Sequence, residues 1–247
     1  MQDRQTSGLL WPSIAALVAL GLLLGLGTWQ VERKAWKEGL IEKIAERTKA
    51  KPIELDKAVA LAKSGQDPEY LHVHAHGRLL AAHNVYLYAF EAGQPGWHVY
   101  TPLELASGEI VLVNRGFVTD AERNAMQSEP PQSTREIDVT GLVRASGTKA
   151  MFMPENDTQR NVWYWRDLKG MAAFAMNGEA RPVVPFFIDA DATPAAEPGE
   201  PRGGVTRLEL PNRHLEYAVT WYGLATTLIG VYVAFVWQRL KLGNGNA

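Results

Sequence analysis

The sequence predicts a membrane protein of the α+β class: two transmembrane helices flanking a mainly antiparallel β extramembrane domain with short helices. Two features near the ends and one in the middle point to this. Residues 8–31 and 217–238 carry no formal charge, and roughly 20 apolar residues are enough to cross the hydrocarbon core of a bilayer. Between them lie short apolar runs bounded by glycine, proline and serine, the pattern of strands joined by tight turns.

Taken in order, the chain is expected to divide into a cytoplasmic tail (1–12), a first transmembrane helix (13–31), an extramembrane α+β domain (32–215), a second transmembrane helix (216–238) and a second cytoplasmic tail (239–247). The first apolar stretch is longer than the 7–15 residues of a signal-peptide core, so it is read as an uncleaved span. Trp11 and Trp29 near its ends, and Trp237 followed by Arg239 and Lys241 at the second span, fit interfacial anchors. Gly21 and Gly25 form a G-x-x-x-G face, with Gly223 and Gly230 as small residues on the other helix. Generic membrane-helix composition explains such glycines equally well.

Helical spacing continues beyond the first span through Trp36, Leu40, Ile41 and Ile44 to Lys51-Pro52, where the residue before proline leaves the α region. A short amphipathic helix is expected over 55–63, closed by Ser64-Gly65. Strands are expected at 70–76, ending at Gly77, and at 85–90, 97–103, 109–117 and 137–143. The turns between them fall at 93–96, Ser107-Gly108 and Pro130-Pro131. An extended piece at 161–165, a short helix at 167–176 and a strand at 183–188 follow, and 190–204 reads as a mobile surface loop. Residues 205–210 return the chain to the membrane.

Composition narrows the chemistry. The net charge is −2 and there is no basic excess that would suggest a nucleic-acid partner. Cysteine is absent, which excludes disulfides, thiolate catalysis, Cys-ligated metal centres and covalent c-type haem. No G-x-S-x-G, H-E-x-x-H, P-loop or Rossmann glycine pattern occurs, which weakens an enzymatic reading.

The principal candidate is His214. A helix starting near Arg213 places His214, Tyr217, Ala218 and Trp221 on one face. A neutral imidazole at the membrane surface, above aromatic and small residues, suits a flat apolar molecule with iron at its centre. The alternative is a histidine that bonds a loop carbonyl and marks the helix edge. His72, His74 and His76 share one strand face, but same-face neighbours stand about 6.5–7 Å apart. A solvated face is therefore favoured over a metal site. Asn114-Arg115-Gly116 ends an apolar strand, either as a structural arginine or as an anchor for an acidic group. Met151-Phe152-Met153-Pro154, with Trp163 and Trp165, reads as core ahead of a docking surface.

These pieces, in this order, resemble the Surfeit-locus-one family of cytochrome c oxidase assembly factors. The resemblance covers Leu26-Gly27-Thr28-Trp29-Gln30 with Arg33 and Trp36-Lys37, and Thr101-Pro102-Leu103. It continues through 111–118, where Phe117 stands in place of the tryptophan of many members, and through Gly141, Arg144, Pro154, Asn156, Trp163 and Asp167-Leu168. The stretch 212–223 is its most specific part. The resemblance implies an assembly role without catalysis. It implies transient binding of haem a, with His214 as the iron ligand and Trp221 beside it. The expected partners are the oxidase catalytic subunit and, as a second, haem a synthase, in a lipid bilayer and without nucleic acid. The expected location is the bacterial inner membrane with the middle domain periplasmic. The combined expectation is haem held edge-on at the outer surface, ligated by His214 and covered by Trp221 and Tyr217. Trp29 and Trp36 would close the other side if the helices pack through Gly21 and Gly25. The acidic edge of the haem would face Arg33, Arg213 or Arg115. A scaffold that never touches haem and a membrane-tethered periplasmic enzyme are the rival readings.

Overall fold

The computed structural model describes residues 3–128, 134–192, 199–206, 208 and 210–244. The expected turn at Pro130-Pro131, the centre of the 190–204 loop and the outermost residues of both tails lie outside the described residues. The chain divides into two units, one made of residues 1–43 and 209–247 and the other of residues 44–208.

The first unit is a pair of helices. Helix α1, Asp3–Lys49, begins within the stretch expected to be a tail and continues far past the apolar segment. Helix α5, His214–Asn244, has His214 as its first residue. Both are long and apolar enough to cross a membrane. Their less exposed positions recur in alternating steps of three and four: Ser13, Ala16, Leu20, Leu23, Gly27, Gln30, Lys34 and Lys37 on α1, and His214, Ala218, Trp221, Ala225, Leu228 and Tyr232 on α5. That spacing is a heptad seam. The expected packing through Gly21 and Gly25 does not occur. A Cβ added at either would have no neighbour within 4 Å, and the same holds for Gly223 and Gly230. Gly27 is the glycine that meets α5, where a Cβ would lie 2.8 Å from the Tyr222 ring.

The second unit is a seven-stranded sheet in the order β1-β2-β6-β7-β5-β4-β3, with a further β2–β4 pairing. Its strands are β1 (Ile53–Glu54), β2 (His72–Leu79), β3 (Val85–Glu91), β4 (Gln94–Leu105), β5 (Ile110–Val118), β6 (Arg135–Arg144) and β7 (Val183–Ala190). The extra pairing closes β2, β6, β7, β5 and β4 into a five-stranded barrel, the Greek-key ring of an OB-type fold. Most neighbours are antiparallel, as alternation and short turns predict, while β1–β2 and β5–β7 are parallel. Helix α2, Leu55–Lys63, places Leu55, Ala58 and Val59 against the core that also holds Val73, Val111, Val143 and Ile188. Helix α3, Asp120–Ser128, follows β5 in a stretch where the sequence reading placed no element. Helix α4, Leu168–Ala175, is capped by Asp167, whose side chain accepts from Gly170 N. It covers a second cluster around Trp163, Tyr100 and Phe187.

Several local expectations are corrected. Gly77 does not end β2. It pairs with Ile137 on one edge and Leu105 on the other, and a Cβ there would meet Glu104 O at 2.5 Å. The β3–β4 turn is Ala92-Gly93, both at positive φ, and Gln94 to Gly96 already pair with β3. Met151 and Phe152 are 89% and 94% exposed, because a turn bonded from Met153 N to Ala150 O, with Lys149 and Glu155 paired across its neck, pushes them outward. Trp163 is in the core as expected. The far end of the 190–204 loop is tied down: Arg202 and Phe117 exchange two backbone hydrogen bonds of 3.0 and 2.9 Å.

Candidate functional site

His214 lies on the α1–α5 seam, at the first turn of α5. Its Nδ1 is 2.7 Å from Gln30 Oε1. The amide oxygen accepts, so Nδ1 donates. Gln30 is only 8% exposed, and a primary amide on an apolar helix costs free energy unless it is bonded. Among the described residues, three further bonds cross the seam. Ser13 Oγ pairs with Tyr232 Oη, Thr28 Oγ1 lies 3.1 Å from Tyr222 Oη, and Lys37 Nζ donates to Pro211 O. The last bond fixes the segment that leads into His214.

Around this contact, Ala218 is buried and Trp221 half-buried. Trp221 Nε1 and Asn212 Oδ1 are enclosed and have no hydrogen-bond partner among the described residues. His214 Nε2 likewise has no partner among the described residues. The seam therefore presents an indole donor, an amide acceptor and an imidazole nitrogen, all unused by the protein. Tyr217, one turn on from His214, is 56% exposed at the margin of this face. Arg213 is exposed. Trp29 and Trp36 each sit one position before a seam residue and are 53% and 55% exposed. No described contact brings either to His214, because the helices meet through Gly27 and Gln30. Arg33 stacks on Trp36 at 3.9 Å instead. Gln30 enters the sequence reading only within the resemblance and not as a site residue, although an amide in an otherwise apolar helix is the signal that marks it.

The remaining candidates lie in the barrel. His74 Nε2 and His76 Nδ1 both approach Asp138 Oδ1 at 3.1 Å, and His72 Nε2 approaches Asp191 Oδ2 at 2.7 Å. Among the described residues, no group of three or more His, Asp or Glu side chains is placed to hold a metal ion. Asn114 and Arg115 part company. Asn114 Nδ2 donates to buried Asp189 Oδ1 at 3.0 Å, whereas Arg115 stands 3.7 Å from Glu200. Burial lowers the Arg115 pKa, and Glu200 opposes the shift. Asp189 also accepts from Arg144 Nη1 at 3.3 Å and Thr206 Oγ1 at 2.8 Å. Burial alone would lower the Arg144 pKa, but the Asp189 and Glu69 carboxylates outweigh it and raise it. This is a structural node linking β5, β6 and β7.

The SURF1 family model matches residues 17–226, a span that includes Gln30 and His214. The chain is 38% identical over 216 residues to Surfeit locus protein 1 of Mus musculus, covering 81% of this chain and 67% of that protein. It is 37% identical over 218 residues to the protein of the same name from Homo sapiens, covering 81% and 69%. The SURF1-like protein of Monosiga brevicollis is 32% identical over 255 residues, covering 98% and 92%. With one family matched along both helices and the barrel between them, this chain belongs to the SURF1 family.

Proposed function

We propose that this protein binds haem a at the outer face of the membrane and helps insert it into the catalytic subunit of a haem-copper cytochrome c oxidase. Membership of the SURF1 family supports a role in cytochrome c oxidase assembly. The observation that carries the haem reading is His214, held on the helix seam through Nδ1 while Nε2 has no partner among the described residues. A neutral imidazole nitrogen of this kind is a haem-iron ligand of ordinary type. Trp221 Nε1 and Asn212 Oδ1, both enclosed and unpaired, add a donor and an acceptor for polar groups at a haem edge. Bound haem a supplies the iron that the imidazole ligates. The chain's own part is to orient that nitrogen, to offer the ring an apolar face at Trp221, and to release the cargo. Tyr217 at the margin and Arg213 beside it are the residues proposed to meet the ring edge and its acidic groups. Trp29 and Trp36 stay in the proposal as exposed residues that would have to turn inward to touch haem. No catalytic step is assigned.

We place the protein in a bacterial inner membrane with the barrel in the periplasm, and take haem a synthase as a second partner, the source of the cargo. The test is an absorption spectrum of detergent-solubilised protein from a host that makes haem a, beside His214→Ala at equal yield and equal helix content. A haem a band in the first and at least a tenfold loss in the second is expected. Equal bands would move the site elsewhere, and no band in either would leave a scaffold that never touches haem.

A further inference from the structure

We propose that Gln30 is the positioning residue for His214: its amide oxygen fixes the imidazole in the tautomer that leaves Nε2 bare. The inference rests on the haem-carrier reading and assigns a role to a residue on the other helix.

A neutral imidazole has one N–H and one lone pair. Free histidine favours the N–H at Nε2, which would block that nitrogen as a ligand. Gln30 Oε1 lies 2.7 Å from Nδ1 and can only accept, so the proton must sit on Nδ1 and the lone pair on Nε2. An acceptor behind one ring nitrogen both selects the tautomer and makes the other nitrogen a better donor to a metal.

The surroundings make the arrangement stiff. Gln30 is almost fully enclosed, and Gly27, one turn before it, lets the helices approach closely enough for an amide to reach across. Lys37, two turns after it, holds Pro211 O just ahead of His214. The imidazole is therefore set by α1 from behind and by its own helix start from below. A plain helix–helix adhesive would need only some hydrogen bond at this place. A positioning residue needs an acceptor at Nδ1, and that difference can be measured.

The first measurement uses the whole protein in detergent without haem, labelled with nitrogen-15 at histidine and held above the imidazole titration range. The His214 signals should report N–H at Nδ1 in the wild type. In Gln30→Met, which keeps the volume and removes the acceptor, they should move to N–H at Nε2. Gln30→Glu keeps an acceptor oxygen and should retain the wild-type tautomer. The second measurement is titration with haem. Gln30→Met should weaken binding about 10–100-fold, the range for partners that orient a metal-ligating histidine, and Gln30→Glu should restore most of it.

A wild-type His214 with its proton on Nε2 overturns the assignment, and so does a Gln30→Met variant that binds haem as tightly as wild type. A Gln30→Glu variant as weak as Gln30→Met reduces Gln30 to an adhesive and overturns it too. These failures concern Gln30 alone. A wild-type protein that takes up no haem overturns the carrier reading instead, whatever the tautomer proves to be.

Discussion

Asp189 in the barrel and His214 on the helix pair use their hydrogen-bonding capacity in opposite ways. Asp189 accepts from Asn114, Arg144 and Thr206 and is 4% exposed, so its oxygens are spoken for by the fold. His214 makes one bond, to Gln30, and has a second nitrogen unused. The same contrast extends to neighbours. The amide of Asn114 bonds Asp189 and its oxygen accepts from Gly116 N, whereas Trp221 Nε1 and Asn212 Oδ1 sit enclosed with nothing to bond. A saturated buried network rigidifies one structure, while unused polar groups on a packed seam keep their hydrogen-bonding capacity free.

The sharpest way to break the contrast is to remove its saturated member. Asp189→Ala strips Arg144 and Asn114 of a buried partner at once, and losing one side of a buried ion pair costs about 3–5 kcal/mol. Chemical denaturation of the detergent-solubilised protein should show a loss of that size in the barrel transition, with the helix content of the spans unchanged. A loss below about 1 kcal/mol would mean the network is not what joins β5, β6 and β7. The next effect belongs to the helix pair. Gly27→Val places a branched side chain against the Tyr222 ring, and overpacking of this kind costs about 1–3 kcal/mol. It should separate Gln30 from His214 and lower haem binding, while the barrel unfolds at its wild-type denaturant concentration. Unaltered haem binding in Gly27→Val would show that the close approach at this glycine is dispensable.

These two positions also show why one region is legible in the sequence and the other is not. In the second unit, short apolar runs are bounded by turn residues, so 85–90, 97–103, 109–117 and 137–143 fall on β3 to β6. Ring closure is not readable, because the β2–β4 pairing depends on a glycine, Gly77, that looks like a strand end. Helix α3 escapes the sequence reading although its signal is present. Thr119-Asp120-Ala121-Glu122 is a capping box, and in the structure Thr119 N donates to Glu122 Oε2 at 2.6 Å while Glu122 N donates to Thr119 Oγ1 at 3.3 Å. In the spans, by contrast, every face is apolar and hydrophobic periodicity carries no information. Four glycines of α1 lie between residues 8 and 31, and spacing singles out Gly21 and Gly25, which face away from α5. The discriminating signal is polar: Ser13, Thr28 and Gln30 are the side chains of that stretch that bond across to α5. Thr220, Thr226 and Thr227 bond their own backbone four residues back instead. His214 is found from its position at the helix start, but its partner requires the register of two helices.

The smallest expected effect places acid sensitivity in the barrel. His98 on β4 is enclosed between β3 and β5, with Phe117 at 6.4 Å between ring centroids. Its Nε2 is buried without a hydrogen bond among the described residues, and Glu91 Oε1 stands 3.4 Å from it. Burial lowers the His98 pKa from its ordinary 6.5; Asp189 and Glu91 oppose the shift, and Arg166 adds to it. Between 6.5 and the lower folded value, the unfolded chain therefore binds a proton that the folded chain refuses. Stability is full above 6.5 and falls as the pH drops through that window. Glu104 and Glu122, whose pKa values are lowered from 4.5, act further down, below the ordinary carboxylate range. They cannot produce the same slope. In His98→Gln the decline just below neutrality should flatten, while the fall at lower pH persists. If denaturation midpoints of His98→Gln and wild type decline in parallel from neutrality to the carboxylate range, the proton is taken up elsewhere and His98 is a passive part of the core.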